Sequence, residues 1–193
     1  SLDGPEAQPL TGTEEGSGPF FSPDGGWLGF SAGGKLKKVP VTGGAVLTLC
    51  DAGVVRGTAW GPNDTIVFTP NTASGLYVVP AAGGKPEPVT KLDSSTGETS
   101  HRWPTFLPGG KTLIFTAGRG SYGISSQIVA QNLETGERRV LIEGGTYARY
   151  VPTGHIVYHR QGTLMAVPFD LKRLEVTGPP FPIVEGVLGV VAS

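Results

Sequence analysis

Arginine and aromatic side chains recur together along this chain. Arg56 lies in a Val-Val-Arg-Gly stretch, His101, Arg102 and Trp103 are consecutive, and Tyr147 and Arg149 flank Ala148. A guanidinium presents a planar fork of donors that matches a carboxylate or phosphate, and an aromatic ring presents a flat apolar face. These six residues are therefore the candidate binding group, suited to a polar or anionic ligand or to a partner's side chain. The competing reading is that they hydrogen-bond adjoining parts of the fold and hold it together.

Other chemical motifs do not survive inspection. Gly118 to Gly123 reads GRGSYG and matches G-x-G-x-x-G, but that fingerprint must join a strand to a helix so that phosphate meets the helix N-terminus. Here strands flank it on both sides, and it reads as a loop. His155 and His159 lie four apart in a strand, which separates them by roughly 13 Å at about 3.3 Å per residue, too far to share a metal. No metal site, cofactor or catalytic residue is assigned. Cys50 is the only cysteine, so no internal disulfide can form; it reads as a small strand residue.

The elements that position these residues follow from a repeat. FFSPDGGWLGF (Phe20 to Phe30) returns as WGPNDTIVF, FLPGGKTLIF and YVPTGHIVY. In each copy an aromatic precedes proline by two: Phe21/Pro23, Trp60/Pro62, Phe106/Pro108 and Tyr150/Pro152. The prolines stand 39, 46 and 44 residues apart, which is the period of a propeller blade. Proline presets φ for a turn and the residues after it tolerate tight turns, so each copy reads as a hairpin. From proline to the closing aromatic is seven residues in copies one and three and six in the others. A one-residue slip would turn the core outward, so the turns at Gly25-Gly26 and Gly109-Gly110 must absorb the difference, with a glycine bulge expected there. Two further strands follow each hairpin, such as KLKKVPV and AVLTLC.

The expected class is thus all-β: a β-propeller of four-stranded antiparallel blades, about four of them complete. Boundaries are expected at 17–54, 55–97, 98–143 and 144–186. Residues 1–16 would end a preceding blade as its outer strand, and 187–193 would begin a further one. The repeat aromatics Phe21, Trp60, Phe106 and Tyr150 are expected in the core. Six residues before each proline come Ser17, Arg56, Arg102 and Thr146, at the starts of the inner strands that line the central channel. That places the arginine–aromatic group near the channel mouth. Glu15, Glu98 and His101 are the acid–base groups closest to it.

With its aromatic-Ser-Pro-Asp-Gly phrase, FFSPDGGWLGF resembles the WD-like repeat of TolB-type bacterial propellers. SHRWPTFLPGGKTLIFTAG and EGGTYARYVPTGHIVYHRQGTLMAVPFDL are similar to the propeller regions of bacterial serine/threonine protein kinases. The resemblance implies six to eight blades in the ring and a periplasmic or other extracytoplasmic setting. Four intact repeats without a catalytic constellation lead to the expectation of a non-catalytic binding, sensor or scaffold module of a larger bacterial protein, presenting its loops and channel mouth to a protein or small ligand. Alternatives are a propeller that gates a peptidase or carries a lyase-type site, and a module that assembles copies into a closed ring.

Fifteen Lys and Arg against sixteen Asp and Glu give near-zero net charge. With only three adjacent basic pairs there is little support for nucleic-acid binding, and no stretch reaches the ~20 apolar residues of a membrane span. An open stack of blades leaves two faces uncovered. If each exposed ~500 Å² of apolar surface, ~12 kcal/mol of burial per face would go unrealised. Pairing with further sequence or with a second copy is therefore expected.

Overall fold

The computed structural model describes residues 9–119 and 125–187. Four antiparallel sheets follow one another in the chain. The first comprises β1 (Ser17–Phe21), β2 (Trp27–Ala32), β3 (Lys35–Pro40) and β4 (Leu47–Asp51). The second comprises β5 (Thr58–Gly61), β6 (Thr65–Phe68), β7 (Tyr77–Pro80) and β8 (Glu87–Pro88). A 3-10 turn at Ser94–Thr96 leads to the third, β9 (Glu98–Phe106), β10 (Thr112–Arg119), β11 (Gln127–Asn132) and β12 (Arg138–Glu143). In the fourth, β13 (Thr146–Val151) and β14 (His155–Arg160) precede a long β15 (Thr163–Asp170). Its outer position is shared: β16 (Glu175–Val176) pairs one end of β15 and β17 (Phe181–Glu185) the other. Each sheet therefore runs in chain order from its first strand outward, and the first strands of successive sheets touch one another. These are propeller blades.

The hairpin register explains the repeat. Phe21, Trp60, Phe106 and Tyr150 pair with Leu28, Ile66, Leu113 and Ile156, each two residues before the closing aromatic. The ladders are thus in the same register in all four blades. The extra residue of copies one and three sits in the loop, where Gly25, Gly109 and Gly110 take positive φ. No bulge interrupts the ladder at those turns, because Ser22 bonds Trp27 and Leu107 bonds Thr112 across a longer loop. Gly110 has a second reason to be glycine: a Cβ there would overlap Cγ of Pro62, so the turns of blades two and three nest.

The core lies between blades. Phe20, Leu36, Leu49 and Cys50 of the first blade meet Trp60, Ile66, Phe68 and Val79 of the second. Val67 and Leu76 meet Leu113, Phe115 and Val129. Ile114, Ile128 and Ile142 meet Ile156, Tyr158 and Phe169. The closing aromatics Phe30, Phe68, Phe115 and Tyr158 are all buried.

The expected burial of the opening aromatics is corrected. Of the four opening aromatics only Trp60 is buried; Phe106 and Tyr150 are half-buried, and Phe21 is 60 % exposed. Phe20 points to the second blade and packs on Trp60 at 6.0 Å, so by strand alternation Phe21 points the other way, to the side on which no described blade packs, whereas Trp60 in the same slot is covered by the first blade. The segment 9–16 forms turns. Residues 1–8 and 188–193, with the rest of the expected flanking strands, lie outside the described residues, as do 120–124 of the GRGSYG loop.

Candidate functional site

In or just before every inner strand, five residues ahead of its proline, the backbone takes positive φ. Gly18, Gly57, Trp103 and Tyr147 occupy that position, with φ of 59°, 120°, 51° and 58°. The ladder shifts register there in the first, third and fourth blades. Glycine takes positive φ at no steric cost, whereas a bulky residue is strained by about 1–3 kcal/mol. The first two blades therefore meet the demand cheaply and the last two do not.

These positions adjoin around the inner strands. The Trp103 N–H donates to the Arg56 carbonyl at 3.1 Å. A Cβ on Gly57 would lie 2.6 Å from the backbone of Trp103, so the two blades touch main chain to main chain. The Trp103 ring then stacks on Tyr147, with centroids 4.2 Å apart and planes 25° from parallel. The Tyr147 N–H reaches Thr116 Oγ1 at 3.3 Å. Trp103 is 9 % and Tyr147 50 % exposed, so the stack shows one free edge to solvent. Arg56 is half-buried beside it. Arg149 is exposed two residues beyond Tyr147, and its Nη1 donates to the Ala148 carbonyl. It occupies the slot of Phe20 in the first blade, on the face away from the third blade.

His101 and Arg102 do not join this group, and their expected place at the mouth is corrected. The register shift turns both inward. Arg102 is 5 % exposed, with Nε on Ser100 Oγ and Nη2 on the Thr72 carbonyl, tying the third blade to a loop of the second. His101 has no exposed surface. Its Nδ1 lies 2.7 Å from Thr90 Oγ1 and its Nε2 2.9 Å from Glu98 Oε2. Thr90 Oγ1 accepts the Leu76 N–H, which leaves its hydroxyl proton for His101 Nδ1. The consistent assignment is a neutral imidazole donating from Nε2 to the Glu98 carboxylate. Glu98 also accepts from Arg138 and from the Asp93 N–H.

Burial disfavours the imidazolium and outweighs the pull of Glu98, so His101 titrates below its usual range. Burial alone would raise the Glu98 carboxyl, but Arg138, the Asp93 N–H and His101 together hold it below the ordinary value. The order hydroxyl–imidazole–carboxylate has the outline of a nucleophile relay. Sealed from solvent, with the Thr90 oxygen already accepting a backbone proton, it instead joins blades two and three. Glu15 is exposed on the segment before β1.

The remaining sequence candidates are packing groups. His155 bonds Thr153, and His159 accepts the Gly162 N–H. Cys50 is buried in the first inter-blade core, and burial with Asp51 nearby pushes its thiol up to about 11. Among the described residues no group of three or more His, Cys, Asp or Glu is placed to hold a metal, and no helix is long and apolar enough to cross a membrane.

One feature was not legible as a site. At the opposite end, where the hairpins turn, a cavity of about 780 Å³ is bounded by turns of all four blades. Phe106 and Tyr150, read as core, line it. Their position at the solvent end of the inner strand, beside a repeated exposed proline, was the available signal.

No protein-family model matches the chain, and none of the curated proteins matches it by sequence. Solved structures do resemble it. TolB from Acinetobacter baumannii superposes with a TM-score of 0.66 at 16 % identity, over 88 % of this chain and 44 % of that one. The calcium-binding protein regucalcin from Agrobacterium tumefaciens gives 0.68 at 17 %, over 95 % of this chain and 62 % of its own. A puromycin-hydrolyzing peptidase of Mycobacterium tuberculosis gives 0.66 at 15 %, over 96 % and 31 %. The chain thus spans from about a third to under two thirds of these structures. At such identities the likeness concerns architecture, and it identifies the chain's fold as that of the β-propellers, TolB among them.

Proposed function

We propose that the chain is a non-catalytic binding module of a larger bacterial protein, comparable to the propeller regions of receptor-like serine/threonine kinases. It takes its ligand where the inner strands begin. The observation that carries this reading is the strained pair Trp103 and Tyr147. Strain at matching positions of two blades, where the other two use glycine, persists only when something over-determines it. Here it sets a stacked aromatic platform with one ring half-exposed. Arg56 joins Trp103 through its carbonyl and Arg149 follows Tyr147 by two residues, so the class of ligand is an anion with a flat face: an aromatic carboxylate, or an acidic side chain of a partner protein. The test is a thermal-shift titration with benzoate and with acetate. Stabilisation by benzoate that Tyr147→Ala abolishes supports the reading; equal response of wild type and variant sinks it.

A second reading concerns the outer blades. Phe21 is 60 % exposed on the first, and Phe181, Ile183 and Val184 are 46–49 % exposed on the last. Apolar surface of this kind marks contact with further protein. We propose that further propeller surface, a second copy included, covers these faces. Light scattering across concentration tests the second-copy form, which a concentration-independent monomer mass rules out.

A further inference from the structure

We propose that the turn end of the blades is a docking site for a proline-rich extended segment of a partner protein, distinct from the strand-start site above. The four repeat prolines, Pro23, Pro62, Pro108 and Pro152, meet around one cavity of about 780 Å³. Trp60, Phe106 and Tyr150 line its wall. The cavity is a wide depression open to solvent, a shape suited to an extended segment lying across it and not to an engulfed small molecule. Its rim is rigid: proline fixes each turn, Gly110 nests on Pro62, and Gly61 lets the Phe106 ring lie against bare main chain, where a Cβ would come within 2.5 Å.

The lining chemistry selects the occupant. Among the described residues no charged side chain borders the cavity, so an ionic ligand would lose its hydration without compensation. A sugar needs many polar partners. The wall has two polar side-chain groups, and the Trp60 Nε1–H is sealed from solvent. That leaves the Tyr150 hydroxyl, on a half-buried ring, as the single lining side-chain group able to reach a ligand. Aromatic faces with one hydroxyl fit a polyproline helix. Its pyrrolidine rings pack flat on aromatics, its carbonyls have no internal hydrogen bonds and accept from a hydroxyl, and its stiffness keeps the ordering cost small. The chain itself exposes a segment of this chemistry, Pro179-Pro180-Phe181-Pro182, so a second copy is the competing occupant.

The experiment is calorimetric titration of the chain with decaproline, and with a Gly-Ser decapeptide as control, alongside light scattering. Saturable binding of decaproline alone is expected. Tyr150→Phe should weaken it roughly fivefold through one lost hydrogen bond. Leu171→Glu, which puts a charge into the wall, should abolish it, with unfolding curves checking that both variants fold. The proposal is overturned by equal binding of both peptides, by no saturable heat, or by unchanged affinity in Tyr150→Phe. It is also overturned if decaproline acts only by converting a dimer to monomer, since the cavity is then filled by the Pro179–Pro182 segment of another copy.

Discussion

Trp103 and Tyr147 stack at 4.2 Å while both hold the left-handed backbone that Gly18 and Gly57 hold in the first two blades. The chain therefore accepts strain twice in order to place two rings. Replacing Tyr147 with glycine relieves the strain, and replacing it with alanine keeps the strain while losing the stack. Tyr147→Gly should be more stable than Tyr147→Ala by about 1 kcal/mol, the reverse of the usual order in a strand. Denaturant unfolding of the two variants measures this, and alanine proving the more stable would show that the position is not left-handed in solution.

The opening aromatics should differ sharply despite their shared place in the repeat. Trp60 is 9 % exposed in the core between blades one and two, so Trp60→Ala should cost about 3–5 kcal/mol through the cavity it leaves. Phe21, 60 % exposed, has little to lose, and Phe21→Ala should stay within about 0.5 kcal/mol. Equal melting temperatures for the two variants would contradict the burial difference.

That contrast also marks what the sequence could and could not reveal. The aromatic–proline period and the turn residues are local, and they disclosed the blades, the register and the absorbed extra residue. Whether Phe21 is covered depends on a neighbouring blade, which its own strand does not encode. Arg102 and His101 sit where a regular inner strand would face the channel, but the bulge beside them turns both inward. Gly18 and Gly57 signal that bulge in two blades, while Trp103 and Tyr147 conceal it in the others. The turn-end cavity gathers prolines 39 to 46 residues apart, and only the ring arrangement of blades brings them together.

Acid should weaken the joint between blades two and three. His101 is held neutral, below the ordinary imidazole value of 6.5, so the unfolded chain binds a proton that the folded one refuses. The stability from this group is complete above pH 6.5 and is lost as pH falls from there through the lowered folded value. Glu98, also held low, adds a loss in the same direction below about 4.5. Melting temperature should fall between pH 7.5 and 5.5 in the wild type and change less in His101→Gln, which keeps a donor for Glu98 without titrating.

Cys50 should be inert while the chain is folded. With its thiol at about 11, only about one molecule in a thousand is thiolate at pH 8, and the sulfur is buried as well. An aromatic disulfide reagent at pH 8 should label it slowly in buffer and completely within minutes in denaturant. Rapid labelling of the native chain would mean that the first inter-blade core opens readily.

Tyr158 is the one closing aromatic with a hydroxyl; Phe30, Phe68 and Phe115 fill the same place in the other blades. Its ring is fully buried between blades three and four, and among the described residues its Oη has no hydrogen-bond partner. The Arg160 guanidinium lies 5.3 Å from the ring centre but donates to the carbonyls of Glu143 and Gly144 instead. A buried hydroxyl without a partner costs about 1–3 kcal/mol. Burial also raises the Tyr158 phenol above its usual range. Tyr158→Phe removes that cost while keeping the ring in place, and restores the residue that the other three blades use. The variant should melt higher than the wild type, by about 1 kcal/mol of added stability. A lower melting temperature would mean that the hydroxyl is bonded in solution, so that the core between blades three and four is built around a polar contact the other interfaces lack.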